Sequence, residues 1–179
     1  MKKINLIIIA IVSLFILTGC ESEKVNDNND SNAPAGLKEV TGKVVKAKLD
    51  DNGNIIINED EITEEVVYIS YEYEGVTIGL IAVRNSEGKV IVVINTCQSC
   101  GGSPYAYFVQ VGNKIQCQNC GNLFDIDDLD NLTPDGCNPI GVEERTDKDG
   151  KITIGTDQLK QLKINLKIGR VQKYNKIRS

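Results

Sequence analysis

Residues 67–97, VYISYEYEGVTIGLIAVRNSEGKVIVVINTC, decide the fold. Val67, Ile69, Tyr71 and Tyr73 alternate with mostly polar neighbours, the period of a half-buried strand. Glu74-Gly75 signals a tight turn, and residues 76–83 read as the next strand. Residues 85–88 turn the chain again. Residues 90–94 are continuously apolar and β-branched, which predicts a central strand covered on both faces. That strand leads directly to Cys97. Working outward, residues 37–49 read as an earlier strand ended by Asp50-Asp51-Asn52-Gly53, and Thr156 caps a short helix through about Lys163. The expectation is a mainly β domain of antiparallel meander and hairpins, with little helix.

What the 179 residues lack narrows the chemistry. There is no His and no Trp, and the single Met is the first residue. A Ser-His-Asp unit, a His-ligated zinc site and a His-held haem are excluded with the missing imidazole. The soft ligands are six Cys. Asp50-Asp51-Asn52-Gly53 and Asp147-Lys148-Asp149-Gly150 imitate part of a calcium loop. Their first ligand position would fall on Lys48 or Arg145, a cation where a carboxylate is required. Both read as turns.

The first nineteen residues read as a secretory leader, with Met1-Lys2-Lys3 followed by an apolar run over residues 4–17. That run is short for a spanning helix, which needs about 20 residues. Leu17-Thr18-Gly19-Cys20 resembles the lipobox of bacterial lipoproteins, so Cys20 is the expected lipidation site and the mature N-terminus. Residues 20–36 are polar, rich in Asn and Asp, and read as a tether. The folded domain is expected over residues 37–166, with a basic tail at 167–179. Loss of the leader leaves 18 basic against 25 acidic side chains, a net charge of −7. Residues 20–150 carry −14 of it, against +7 over residues 151–179. The basic end is either a solvated terminus or a contact for anionic lipid. No aromatics interleave with it, and nucleic acid is not an expected partner.

The cysteines carry the chemistry. Cys97-Gln98-Ser99-Cys100-Gly101 and Cys117-Gln118-Asn119-Cys120-Gly121 form C-x2-C-x16-C-x2-C, within the spacing range of four-sulfur metal sites. Two intervening residues let one turn aim both thiolates at one ion. Gly101 and Gly121 are expected to supply a left-handed bend that turns N–H groups toward sulfur. Tyr105, Tyr107, Phe108 and Phe124 stand where a metal–sulfur centre needs shielding, and would equally serve as core. Two disulfides are the simpler alternative outside the cytoplasm. A thioredoxin-like reading is disfavoured because the flanks are strands, and c-type haem because Gly replaces the required His.

Cys137 extends the pattern, in Gly136-Cys137-Asn138-Pro139. The run NTCQSCGGSPYAYFVQVGNKIQCQNCGNLFDIDDLDNLTPDGCNPI, residues 95–140, resembles the FtrD-like membrane iron–sulfur protein family. The shared features are two CxxC pairs, a Tyr-containing hairpin, Phe124 after the second pair, and the closing GCNP. This resemblance implies an iron–sulfur or iron centre outside the membrane, linked in some relatives to ferrous iron uptake. Its implied ligands are Cys97, Cys100, Cys117 and Cys120, with Cys137 as a fifth or accessory thiol. Gly101, Gly121, Tyr105, Phe124 and Asn138 would surround them. Residues 117–139 bear a weaker resemblance to the second half of a Rieske domain, with Cys in place of His. The partners implied are the membrane, through a lipid at Cys20 on the extracytoplasmic face, and a redox partner or iron permease. Two other classes remain open: a structural zinc-knuckle binding module and a thiol–disulfide redox protein.

Overall fold

The computed structural model describes residues 42–134 and 136–166, which fall within one compact unit of the chain. The leader, the tether, Cys20 and the tail at 167–179 lie outside the described residues, as do residues 37–41 of the expected first strand. In chain order the strands are β1 (Lys43–Lys46), β2 (Lys48–Leu49), β3 (Ile55–Asn58), β4 (Val67–Tyr73), β5 (Val76–Arg84), β6 (Val90–Cys97) and β7 (Phe108–Val111). They continue as β8 (Lys114–Cys117), β9 (Leu123–Asp125), β10 (Pro139–Gly141), β11 (Arg145–Lys148) and β12 (Lys151–Ile154), followed by helix α1 (Asp157–Leu166). The fold is mainly β, as the periodicity requires.

The meander β4-β5-β6 is the middle of a five-stranded sheet of order β1-β4-β5-β6-β10. Every residue of β6 is buried, and the reason is its period. Val90, Val92 and Ile94 point into one apolar core, shared with Ile55 and Ile57 of β3, Ile152 and Ile154 of β12, and Leu159 of α1. Ile91, Val93 and Cys97 point into a second core with Phe108 of β7 and Ile115 and Cys117 of β8. Successive side chains of a strand face opposite ways, so one strand feeds two cores. The sheet β11-β12-β3-β2 covers the first face and the sheet β7-β8-β9 covers the second.

The structure corrects four details. β4 is not half-buried: Tyr68 is fully buried in the second core while Val67, Ile69 and Tyr71 line the first. The hydroxyl of Tyr68 accepts the Gln110 N–H at 3.1 Å, which is how a polar tip is accommodated there. The strand expected at 37–49 is two strands, β1 and β2, that belong to different sheets. β1 runs parallel to β4, since the chain passes through the second sheet before returning. The helix extends beyond Lys163 to Leu166, and the Thr156 hydroxyl donates to Gly53 O at 3.2 Å, tying the helix start to the β2–β3 turn.

Both supposed calcium loops are turns. Asp50 accepts from the Asn52 and Asn54 N–H groups, and these bonds hold its carboxyl below the usual range. Asp149 and Gly150, at φ 53° and 71°, form the two-residue link between β11 and β12. Among the described residues no helix is long and apolar enough to cross a membrane.

Asn95 joins the middle sheet to the third. It is fully buried near the end of β6, its Oδ1 accepts the Phe108 N–H at 2.7 Å, and its Nδ2 donates to Phe108 O at 3.3 Å. Its side chain thus stands in for a neighbouring strand. Replacing Asn95 by Ala leaves two buried backbone groups without these partners, at about 1–3 kcal/mol each. Urea unfolding of Asn95→Ala is expected to show a loss of several kcal/mol; a loss below 0.5 kcal/mol (about the size of a surface substitution) contradicts this linkage.

Candidate metal centre

Each CxxC pair begins at the end of a strand. Cys97 ends β6 and Cys117 ends β8, and both first cysteines are fully buried. The second cysteines lie further out: Cys100 is half-buried and Cys120 is exposed. One dipeptide sets the spacing of the two pairs. The Cys97 N–H donates to Ala106 O at 2.9 Å, and the Gln118 N–H donates to Tyr107 O at 2.8 Å. Adjacent carbonyls of the chain therefore anchor both turns. The β7–β8 hairpin, which places Phe108 opposite Cys117, closes at Gly112-Asn113 as its turn residues require.

The Sγ atoms of Cys97, Cys100, Cys117 and Cys120 all lie within 4.8 Å of one another. All four are free thiols, and no disulfide joins them. Burial pushes the Cys97 and Cys117 thiols well up. The Cys100 N–H donates to the Cys97 sulfur, and those of Cys120 and Asn119 to the Cys117 sulfur, opposing the rise. Buried in the apolar core, the Cys97 and Cys117 thiols resist ionising on their own. A cation removes that difficulty, since soft thiolates suit zinc, iron and iron–sulfur centres and are deprotonated by the metal they bind. The four sulfurs can hold a metal.

The turn with GCNP folds against the first pair. The Gln98 N–H donates to Asn138 O at 3.1 Å and the Ser99 N–H to Gly136 O at 3.2 Å. The Gln98 amide adds bonds to Thr133 O and Pro139 O. Buried Asn138 donates through Nδ2 to Thr133 O and Pro139 O, which holds the loop in shape. A Cβ on Gly136 would collide with Asn138 Oδ1, so a larger residue here would have to displace that amide. Cys137 is half-buried and packs against the cluster containing Cys97 and Cys117, but is not among the four mutually close sulfurs.

Two site expectations change, those for Gly101 and Tyr105. Gly121 has the left-handed φ of 78°, whereas Gly101 is not among the residues of positive φ. The first turn is instead shaped by its bonds to the GCNP loop. Phe124 is half-buried, packs against the cysteine-containing cluster as expected, and meets Phe108 of that cluster edge to face at 5.8 Å. Tyr105 is buried outside that cluster. Asp125 is paired with Lys114 at 2.7 Å, Asp127 accepts from Ser86, and Asp130 is paired with Lys89. These acids fasten the segment after β9 to its neighbours.

Gln98, Thr133 and Asn95 are site-building residues that motif spacing does not mark. Only Asn95 gives a signal, as an amide inside an apolar strand that must find a partner. The family model described as "Membrane iron-sulfur containing protein FtrD-like" matches residues 62–165. No curated protein matches the chain.

Exposure and thiol acidity together set an order of reaction. In metal-free reduced protein, iodoacetamide is expected to modify Cys120 first and Cys97 and Cys117 last, followed by peptide mass spectrometry over time. Early labelling of either buried thiol contradicts the arrangement.

Proposed function

The chain belongs to the FtrD-like family of membrane iron–sulfur containing proteins, and from that premise we propose a lipid-anchored extracytoplasmic protein whose four-cysteine centre carries iron for electron transfer in iron handling. The observation that carries this reading is the approach of four Sγ atoms from two separate turns to within 4.8 Å. An iron ion held by thiolates supplies one-electron exchange when bound. The residues around it do the rest. The Cys97 and Cys117 sulfurs take N–H donors that stabilise thiolate charge, and Phe108 and Ile115 keep water from the inner side. Cys120 reaches the surface, where a redox partner or an iron permease would approach.

Two observations bear on the other classes. A thiol–disulfide enzyme needs a reactive thiol at an accessible position, whereas the first cysteine of each pair, Cys97 and Cys117, is fully buried. A purely structural zinc is less favoured because the first core contains no cysteine and joins two sheets and α1 without the metal. Cys137 is assigned an accessory place beside the centre.

Anaerobic loading of the full chain with iron tests the cofactor. A visible thiolate-to-iron absorption that changes on reduction and reoxidation is the expected result, with a matching electron paramagnetic resonance signal. A colourless protein that takes zinc and shows no reducible species overturns the redox reading. The anchor has a separate test: Cys20→Ala is expected to leave an unprocessed precursor or release the protein from membranes, seen by fractionation and gel mobility. Unchanged processing and fractionation would remove the lipoprotein assignment.

A further inference from the structure

We infer that the centre is mononuclear: one metal ion held by Cys97, Cys100, Cys117 and Cys120, with no inorganic sulfide. The inference rests on the reading above that these four thiols share one site, and adds its nuclearity.

Four points separated by no more than 4.8 Å fit within a sphere of radius about 2.9 Å. A single ion at the centre, with metal–thiolate bonds of about 2.3 Å, places its ligands about 3.8 Å apart at the corners of a tetrahedron. The sulfurs need only a small contraction to reach it. A cluster makes the opposite demand. Each iron stands away from the centre and carries its cysteines a further bond length outward. Within the sphere that the sulfurs define, two such irons would stand less than about 2 Å apart, shorter than a single metal–thiolate bond of about 2.3 Å. Inorganic sulfide would need space as well.

The framework also resists spreading to make that space. The Cys97 and Gln118 N–H groups are bonded to the adjacent carbonyls of Ala106 and Tyr107, so moving the two turns apart breaks buried hydrogen bonds at the root of each. The first turn is held again from outside, through Gln98 and Ser99 to Asn138 and Gly136. Cys97 and Cys117 sit in the packed second core beside Phe108 and Ile115, where outward movement would open a void. Cys137 is not among the close sulfurs, and so adds no fifth ligand from which a larger cluster could grow. A lone iron on four cysteine sulfurs still makes this an iron–sulfur protein of the simplest composition.

The test is anaerobic reconstitution of the full reduced chain, once with ferrous iron alone and once with ferrous iron and sulfide. Each product is assayed for metal, acid-labile sulfide and intact mass under native conditions. Cobalt(II) titration, followed by thiolate-to-cobalt absorption, gives an independent endpoint. The expected result is one iron per chain in both preparations, no acid-labile sulfide, and a cobalt endpoint at one equivalent. Two or more irons with matching sulfide would overturn the single-ion inference while leaving the shared four-cysteine site standing. If neither iron nor cobalt binds, or if binding survives Cys97→Ser and Cys117→Ser together, the shared site itself fails.

Discussion

Strand β6 is the constraint on which the rest depends. Its side chains alternate between two apolar cores, so it must be covered by a sheet on each face. One cover is built from β3 and β12 with α1, and the other from the β7–β8–β9 sheet. Because the same strand ends in Cys97, the second core continues without a break into the cysteine site. The centre is therefore founded on the most deeply buried strand of the domain.

The cost of that placement is electrostatic. A thiolate in an apolar core is disfavoured, and several close together repel one another. The fold answers with backbone N–H groups aimed at Cys97 and Cys117, which lower the penalty without removing it. A bound cation would offset the charge of four thiolates gathered in this space. The unequal exposure of the four follows from the same geometry. The first cysteine of each pair belongs to a strand end inside the core, and the second lies in the turn that carries the chain outward.

Polar groups position the site more than apolar ones do. Asn95 supplies the pairing between β6 and β7, and the Ala106–Tyr107 carbonyls tie both turns together. The GCNP loop acts as an acceptor, taking the N–H groups of Gln98 and Ser99 through its own carbonyls. The acidic segment after β9 is likewise structural. Asp125, Asp127 and Asp130 bind Lys114, Ser86 and Lys89 in turn, which gives three of these carboxylates a structural partner.

The sequence by itself determined the meander, the doubly covered strand at 90–94, the β7–β8 hairpin and the pairing of each CxxC. These are local: period-2 burial, turn residues and the short reach of two intervening residues force them. Cys137 came in through the family resemblance, as a fifth or accessory thiol, and not through local spacing. Only the tertiary structure decided that β1 joins β4 in parallel and that Ile55–Asn58 pairs with Lys151–Ile154. It alone separated Gly121 from Gly101, and showed Tyr68 crossing to the second core. Those outcomes depend on which distant segments meet across a sheet. Hydrogen-bond direction and sulfur spacing are likewise properties of the assembled partners, and no single segment contains them.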